Sequence, residues 1–225
     1  MKRINMLLAA VAASAMTSGV AHAGTTEGSI QVKALVTGVL PDGAITDVNV
    51  DGIGLPAGSD TRADDNYTPT VAVEYFLSPS FSIETIAGVT QHDVTGAGAL
   101  AGAQLISNAN IIPATVTAKL HLPLGGGFKP YLGAGPAYFF IFGEDVDADA
   151  AALGATSVNL SEELGFALQA GFDLPLNDKG LGLSVDAKRY FIDTTATFRA
   201  GNAIALQTEH KLDPWVVSAG VSYRF

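Results

Sequence analysis

Few residues in this chain could do chemistry. Cysteine is absent, which removes thiolate catalysis, thiolate metal sites and a disulfide framework. Outside the extreme N-terminus the histidines are His92, His121 and His210, far apart in sequence and without metal-ligand spacing. No Gly-rich phosphate loop with a lysine is present. Glu144, Asp145, Asp147 and Asp149 offer the oxygens a hard cation prefers. Counting from Asp145, however, Ala150 stands where an EF-hand requires Gly and Thr156 where it requires Glu. This stretch reads as a solvated acidic loop, so no metal, cofactor or enzymatic role is expected. The informative charges stand singly in apolar surroundings: Lys33, Glu74, Glu84, Lys119, Asp173, Asp186, Lys188 and Arg224. What they do depends on the elements that carry them.

Those elements alternate with period two, the signature of half-buried strands. In Trp215-Val-Val-Ser-Ala-Gly-Val-Ser-Tyr-Arg-Phe225 one face is Trp215, Val217, Ala219, Val221, Tyr223 and Phe225, while the other is small or polar. The same pattern recurs over 29–40, 67–77, 81–90, 112–124, 164–174 and 181–192, and 129–142 is apolar on both faces, leaving its register open. Each strand reaches the roughly 9 to 11 residues that a tilted membrane strand needs. The connections alternate between long loops (41–66, 91–110, 143–162, 197–210) and short turns such as Ser78-Pro79-Ser80, Gly125-Gly126-Gly127 and Asn177-Asp178-Lys179-Gly180. Eight strands with alternating loop length predict an all-β fold, an eight-stranded antiparallel up-and-down transmembrane β-barrel with long extracellular loops and short periplasmic turns. A soluble eight-stranded barrel would instead turn its apolar residues inward. Trp215, Tyr75, Tyr131 and Phe225 are expected in the interfacial aromatic belts.

The N-terminus agrees with export. Lys2 and Arg3, an apolar run from Met6 to Met16 and Ala21-His22-Ala23 read as a signal peptide, residues 1–23, leaving 24–225 as the barrel. Removing its two cations takes the formal charge from −10 to −12, a poor balance for nucleic acid. The expected location is the outer membrane of a Gram-negative bacterium.

Three stretches carry a family resemblance: Lys129-Pro130-Tyr131-Leu132-Gly133-Ala134-Gly135, Ile192-Asp193-Thr194-Thr195-Ala196, and Lys211-Leu212-Asp213-Pro214-Trp215 followed by the closing strand. Together they resemble the OmpW/AlkL family of outer-membrane barrels, over the whole mature chain. The resemblance implies a hydrophobic internal passage for small apolar molecules. The closing strand, with Tyr223 third from last and Phe225 last, separately resembles the signal by which outer-membrane barrels are delivered to the barrel-assembly machinery. Outer-membrane lipids, lipopolysaccharide and small hydrophobic compounds would be the other partners.

The inward faces test that implication independently. With odd strands running outward, the outer lumen receives Val39, Ala72, Ile86, Ile192 and Val216, with Gly88, Thr115 and Ala167. The periplasmic half receives Lys33, Glu74, Glu84, Lys119, Asp173 and Arg224, with Asp186 and Lys188 nearer the middle. The lumen is therefore expected to be apolar above a charged floor, with Glu74, Glu84, Lys119 and Arg224 forming a plug. A ligand would leave sideways into the membrane, and Pro136, which lacks a ladder N–H, is the candidate lateral opening. The alternative is a structural or interaction barrel, supporting the membrane or displaying loops to a phage, bacteriocin or host.

Overall fold

The computed structural model describes residues 27–122, 124 and 128–225. The expected signal peptide 1–23 and the glycines of the 125–127 turn lie outside the described residues. In chain order the strands begin with β1 (Ile30–Leu40), β2 (Ala44–Asp51), β3 (Ser59–Ala63) and β4 (Asn66–Ser78). Next come β5 (Phe81–Ala87), β6 (Thr90–Gly98), β7 (Gln104–His121) and β8 (Lys129–Phe142). After β9 (Asp145–Val146) and the short helix α1 (Ala148–Ala152) follow β10 (Ser157–Leu160), β11 (Glu163–Pro175) and β12 (Leu181–Phe191). The chain ends with β13 (Asp193–Ala200), β14 (Ala203–Lys211) and β15 (Trp215–Arg224).

A closed antiparallel ring of eight strands forms the wall, in the order β1, β4, β5, β7, β8, β11, β12 and β15, with β15 pairing back onto β1. Closure is what hydrocarbon demands, because every backbone N–H and C=O must find a partner within the protein. The last wall strand meets the first in a continuous register from Gln31↔Arg224 to Leu40↔Trp215. Side chains alternate strictly: in β5 Ser82, Glu84 and Ile86 are buried while Phe81, Ile83 and Thr85 are exposed. The outer surface carries Val36, Val73, Leu120, Leu132, Leu168 and Val217, the inverse of a soluble barrel.

The β7–β8 ladder has one break. Pairing runs from Asn110↔Phe142 to Thr115↔Ala137 and resumes at Ala118↔Ala134, skipping Val116 and Thr117 opposite Gly135 and Pro136. Proline has no N–H to give. At Gly135 a Cβ would stand 1.9 Å from the Val116 carbonyl oxygen, so the two backbones approach more closely here than any side chain would allow.

The regions expected as long polar loops are corrected by the structure. Most of 41–66, 91–110 and 197–210 forms strands that prolong the wall outward: β2 continues β1, β3 precedes β4, β6 continues β5, and β13 and β14 connect β12 to β15. In the third loop the alanine-rich stretch forms a short helix, capped by the Asp147 side chain on Ala148 N–H. These extensions form two facing layers, β10-β13-β14-β2 and β3-β6-β7 with β9. Ile106, Ile111, Phe139, Ile141, Phe198 and Leu212 are buried between them. Their outer faces meet water rather than lipid, so residues such as Asp47, Asn49 and Arg199 stand where a membrane strand carries Val or Leu.

The register of 129–142 is settled as well. Tyr131, Ala137, Phe139 and Ile141 point inward and Leu132, Pro136, Phe140 and Phe142 outward. Tyr131 is therefore no belt residue: it is 1 % exposed and belongs to the lumen. Trp215 and Tyr75 do face outward, at opposite ends of the wall.

Candidate functional site

The floor is built from single inward residues on neighbouring strands. Lys33 of β1 places its Nζ 2.8 Å from both Glu74 Oε2 of β4 and Glu84 Oε2 of β5, and 3.5 Å from Asp173 Oδ1 of β11. Lys119 of β7 contacts the same two glutamates at 2.8 and 2.9 Å. Lys188 of β12 bridges Glu84 at 3.2 Å and Asp186 at 2.6 Å. Neutral groups complete the set: Ser82 donates to Glu74, Gln169 donates to Glu84 and Asp186, and Tyr131 donates to Asp186 at 2.9 Å. The Lys119 ammonium also lies 3.6 Å from the centre of the Tyr131 ring. Three lysines face four carboxylates, and Arg224 below restores neutrality. Buried charge persists only when it is paired and hydrogen-bonded.

Arg224 stands apart from that network. Its guanidinium bonds Gln31 Oε1 at 3.0 and 2.6 Å and lies 4.0 Å from the Phe76 ring centre. Of the four residues expected to form the plug, Glu74, Glu84 and Lys119 converge, and Lys33, Lys188, Gln169 and Tyr131 join them. Glu74, His121 and Asp173 also bring one ligand-type atom each within 4.8 Å of one another, a convergence that sequence spacing does not reveal. Lys33 already sits between the two carboxylates, so an ammonium supplies the charge a metal ion would.

Above the floor the lumen changes character. A band of hydroxyls comes first, with Thr37 bonded to Thr70 at 2.6 Å and to Ser218 at 2.8 Å, and Thr115 to Tyr190 at 3.1 Å. These hydroxyls satisfy one another and leave the space above them to carbon. An apolar chamber of about 60 Å³ follows, lined by Val39, Ile86, Ile111, Phe139, Leu212 and Val216 among others. A second, of about 70 Å³, lies further out between the extension layers, lined by Ile45, Leu55, Leu105, Phe198 and Leu206. Val94 borders both, so the two lie in series along the barrel axis.

Two buried histidines lie along this path. In the inner chamber His92 bonds the Asp64 carbonyl through Nδ1 and Thr90 through Nε2. Beside the outer one, His210 contacts Thr61 Oγ1 and the Gly43 carbonyl through Nδ1 and Thr208 Oγ1 through Nε2. A carbonyl only accepts, so Nδ1 carries the proton in both and Nε2 accepts from a threonine. Burial pushes both imidazoles down from their ordinary value.

Of the residues expected in the outer lumen, Val39, Ile86 and Val216 line the inner chamber. Ala72 packs lower, against Leu35 and Ile86, and Ile192 is buried in the apolar cluster without lining either cavity. Phe139, Ile141, Ile111 and Leu212 were missed. The doubly apolar 129–142 stretch was the signal for Phe139 and Ile141: one face meets lipid and the other the lumen.

A closed barrel with a lipid-facing exterior, an apolar outer lumen and an ionic floor defines an outer-membrane β-barrel protein. The chain belongs to the OmpW family, whose sequence profile matches residues 26–225. It is 32 % identical over 211 residues to the outer-membrane protein y4mB of Sinorhizobium fredii, covering 93 % of this chain and 84 % of that one. It is 30 % identical to the dibenzothiophene metabolism operon protein PahQ of Pseudomonas aeruginosa, covering 79 % and 80 %. Among solved structures, the crystal structure of OprG from Pseudomonas aeruginosa superposes with a TM-score of 0.79 at 26 % identity, covering 91 % of this chain and 99 % of that one. The outer membrane is this chain's location, and its lipids are its surroundings.

Proposed function

We propose that this barrel is a passive channel for small hydrophobic molecules, which enter from outside through the two chambers and leave sideways into the membrane. The observation that carries the reading is the apolar chamber standing above a paired ionic floor, with only a band of mutually bonded hydroxyls between them. Such a floor leaves no straight path to the periplasm, while burial of apolar surface favours the ligand by about 25 cal/mol per Å². Pro136 is the proposed lateral opening, because the β7–β8 ladder is already interrupted there. PahQ's name ties a relative to dibenzothiophene metabolism, and a fused aromatic sulfur heterocycle is a ligand of the right polarity. The channel role needs no catalytic group, and we assign none. In biogenesis we propose that residues 1–23 are removed and that the outward pair Tyr223 and Phe225, with ring centres 4.8 Å apart, is read by the assembly machinery.

The test is uptake of a medium-chain alkane by cells carrying Ile86→Asp, which sets a carboxylate in the inner chamber. Uptake should fall to the level of cells lacking the protein, with the barrel still present in the outer membrane. Undiminished uptake would leave a structural or loop-displaying role as the better reading.

A further inference from the structure

Beneath the ionic floor, at the periplasmic mouth, lies a cavity of about 80 Å³ with a mixed polar and apolar lining. Several groups of water size fit such a space. Gln31 at the start of β1, Lys129 at the start of β8, Asp173 near the end of β11 and Arg224 at the end of β15 line it. Its rim is fixed by the β11–β12 turn: Gly180 has φ +93° and accepts from Arg224 N–H at 2.9 Å, and a Cβ there would come within 2.2 Å of the Arg224 carbonyl oxygen.

Two polar atoms of the residues that line this cavity, Gln31 Nε2 and Asp173 Oδ2, have no hydrogen-bond partner among the described residues. Their residues are 3 % and 4 % exposed, and an unsatisfied buried polar group costs about 1–3 kcal/mol. The Gln31 amide cannot be turned over to relieve this. Arg224 bonds its Oε1 twice and a guanidinium has no acceptor to offer, so the N–H groups of Gln31 stay unpartnered among the described residues, on a side chain that lines the cavity. Asp173 spends its other oxygen on Ser184 and Lys33. Among the described residues Lys129 has no ion-pair partner within 4 Å. The cavity thus offers two cations and a free amide donor to an anion, and one free carboxylate oxygen to a donor.

We propose that this cavity binds a phosphate group that also carries an N–H or O–H donor, the chemistry of a phosphoethanolamine head group at the membrane's inner leaflet. The phosphate meets Lys129, Arg224 and Gln31 Nε2, and the ammonium meets Asp173 Oδ2. Monohydrogen phosphate from solution shares that chemistry. The site lies on the periplasmic side of the floor, with which it shares Asp173, and does not rest on what passes above it.

The experiment is native mass spectrometry of the full barrel in non-ionic detergent, titrated separately with dihexanoyl phosphatidylethanolamine and with inorganic phosphate. Two variants accompany it. Lys129→Met removes a cation at the rim. Gln31→Glu keeps Arg224 paired, and with it the β1–β15 closure, while replacing the free donor by an acceptor. The expected result is one phosphatidylethanolamine adduct per barrel, weakened at least about tenfold in each variant, the loss of one charge-assisted hydrogen bond. An adduct with phosphate alone that weakens in both variants upholds the site with a soluble ligand. No adduct with either probe, or adducts unaffected by both variants, overturns the proposal.

Discussion

Glu84→Ala strikes the floor at its hub. The Glu84 carboxylate is approached from four other wall strands: by Lys33 at 2.8 Å, Lys119 at 2.9 Å, Lys188 at 3.2 Å and Gln169 at 2.8 Å. Removing it leaves Lys33 with Glu74 and Asp173, Lys119 with Glu74 and Lys188 with Asp186, so the network thins without scattering. Breaking a buried, hydrogen-bonded ion network from one side costs about 3–5 kcal/mol. With an m-value of about 2 kcal/mol/M, that is a fall of about 1.5–2.5 M in the urea midpoint of the refolded barrel. The charge count moves too. With Arg224 included, the floor goes from neutral to one positive charge in excess, and the vacated volume admits water. Single-channel recordings in planar bilayers should therefore show a small, anion-preferring conductance where the parent shows a closed floor. A midpoint lowered by less than about 0.5 M together with unchanged conductance would refute the claim that Glu84 holds the floor shut.

Pro136→Ala restores an N–H at the interrupted β7–β8 ladder, and alkane uptake should fall several-fold with no loss of stability; unchanged uptake would place the exit elsewhere. Gly135→Val drives a side chain onto the Val116 carbonyl, and heat-modified mobility on gels should report little folded barrel. His210 is held below its ordinary value by burial. For a base depressed in this way the unfolded state binds more protons, so stability is constant above about pH 6.5 and falls as the pH drops below it. Protection factors of the β14 amides, corrected for the intrinsic exchange rate, should accordingly fall as the pH drops from 7 to 5, and His210→Gln should flatten that dependence.

The wall was legible in the sequence because a strand between lipid and lumen writes both environments at alternate positions. Glu74 and Glu84 could be assigned to the lumen from their apolar neighbours alone. Three kinds of feature escaped. Segments beyond the membrane, such as β2 and β14, have water in place of lipid on one face, so their outward positions read like loop. Tyr131 was ambiguous because β8 is apolar on both sides, and only the register with β7 and β11 fixes where it points. Ser82, His121 and Gln169, which join the floor through hydrogen bonds to Glu74 and Glu84, carry no mark in isolation. Yet Ser82 lies two positions before Glu84 and His121 two after Lys119, the spacing of a shared face, and Gln31 precedes Lys33 in the same way.

The floor also inspects the assembly of the molecule that contains it. Its charges come from β1, β4, β5, β7, β11 and β12, and the barrel closes only when β15 reaches β1 across nearly the whole length of the chain. A strand that slips by one residue turns its lysine or glutamate into hydrocarbon, at about 2–4 kcal/mol for a lysine near the midplane, and strands its partner unpaired. Misregistered barrels are thus penalised at several places at once, and the correct one is the arrangement in which every charge is answered. The same residues that close the lower lumen proofread the order and register of the wall.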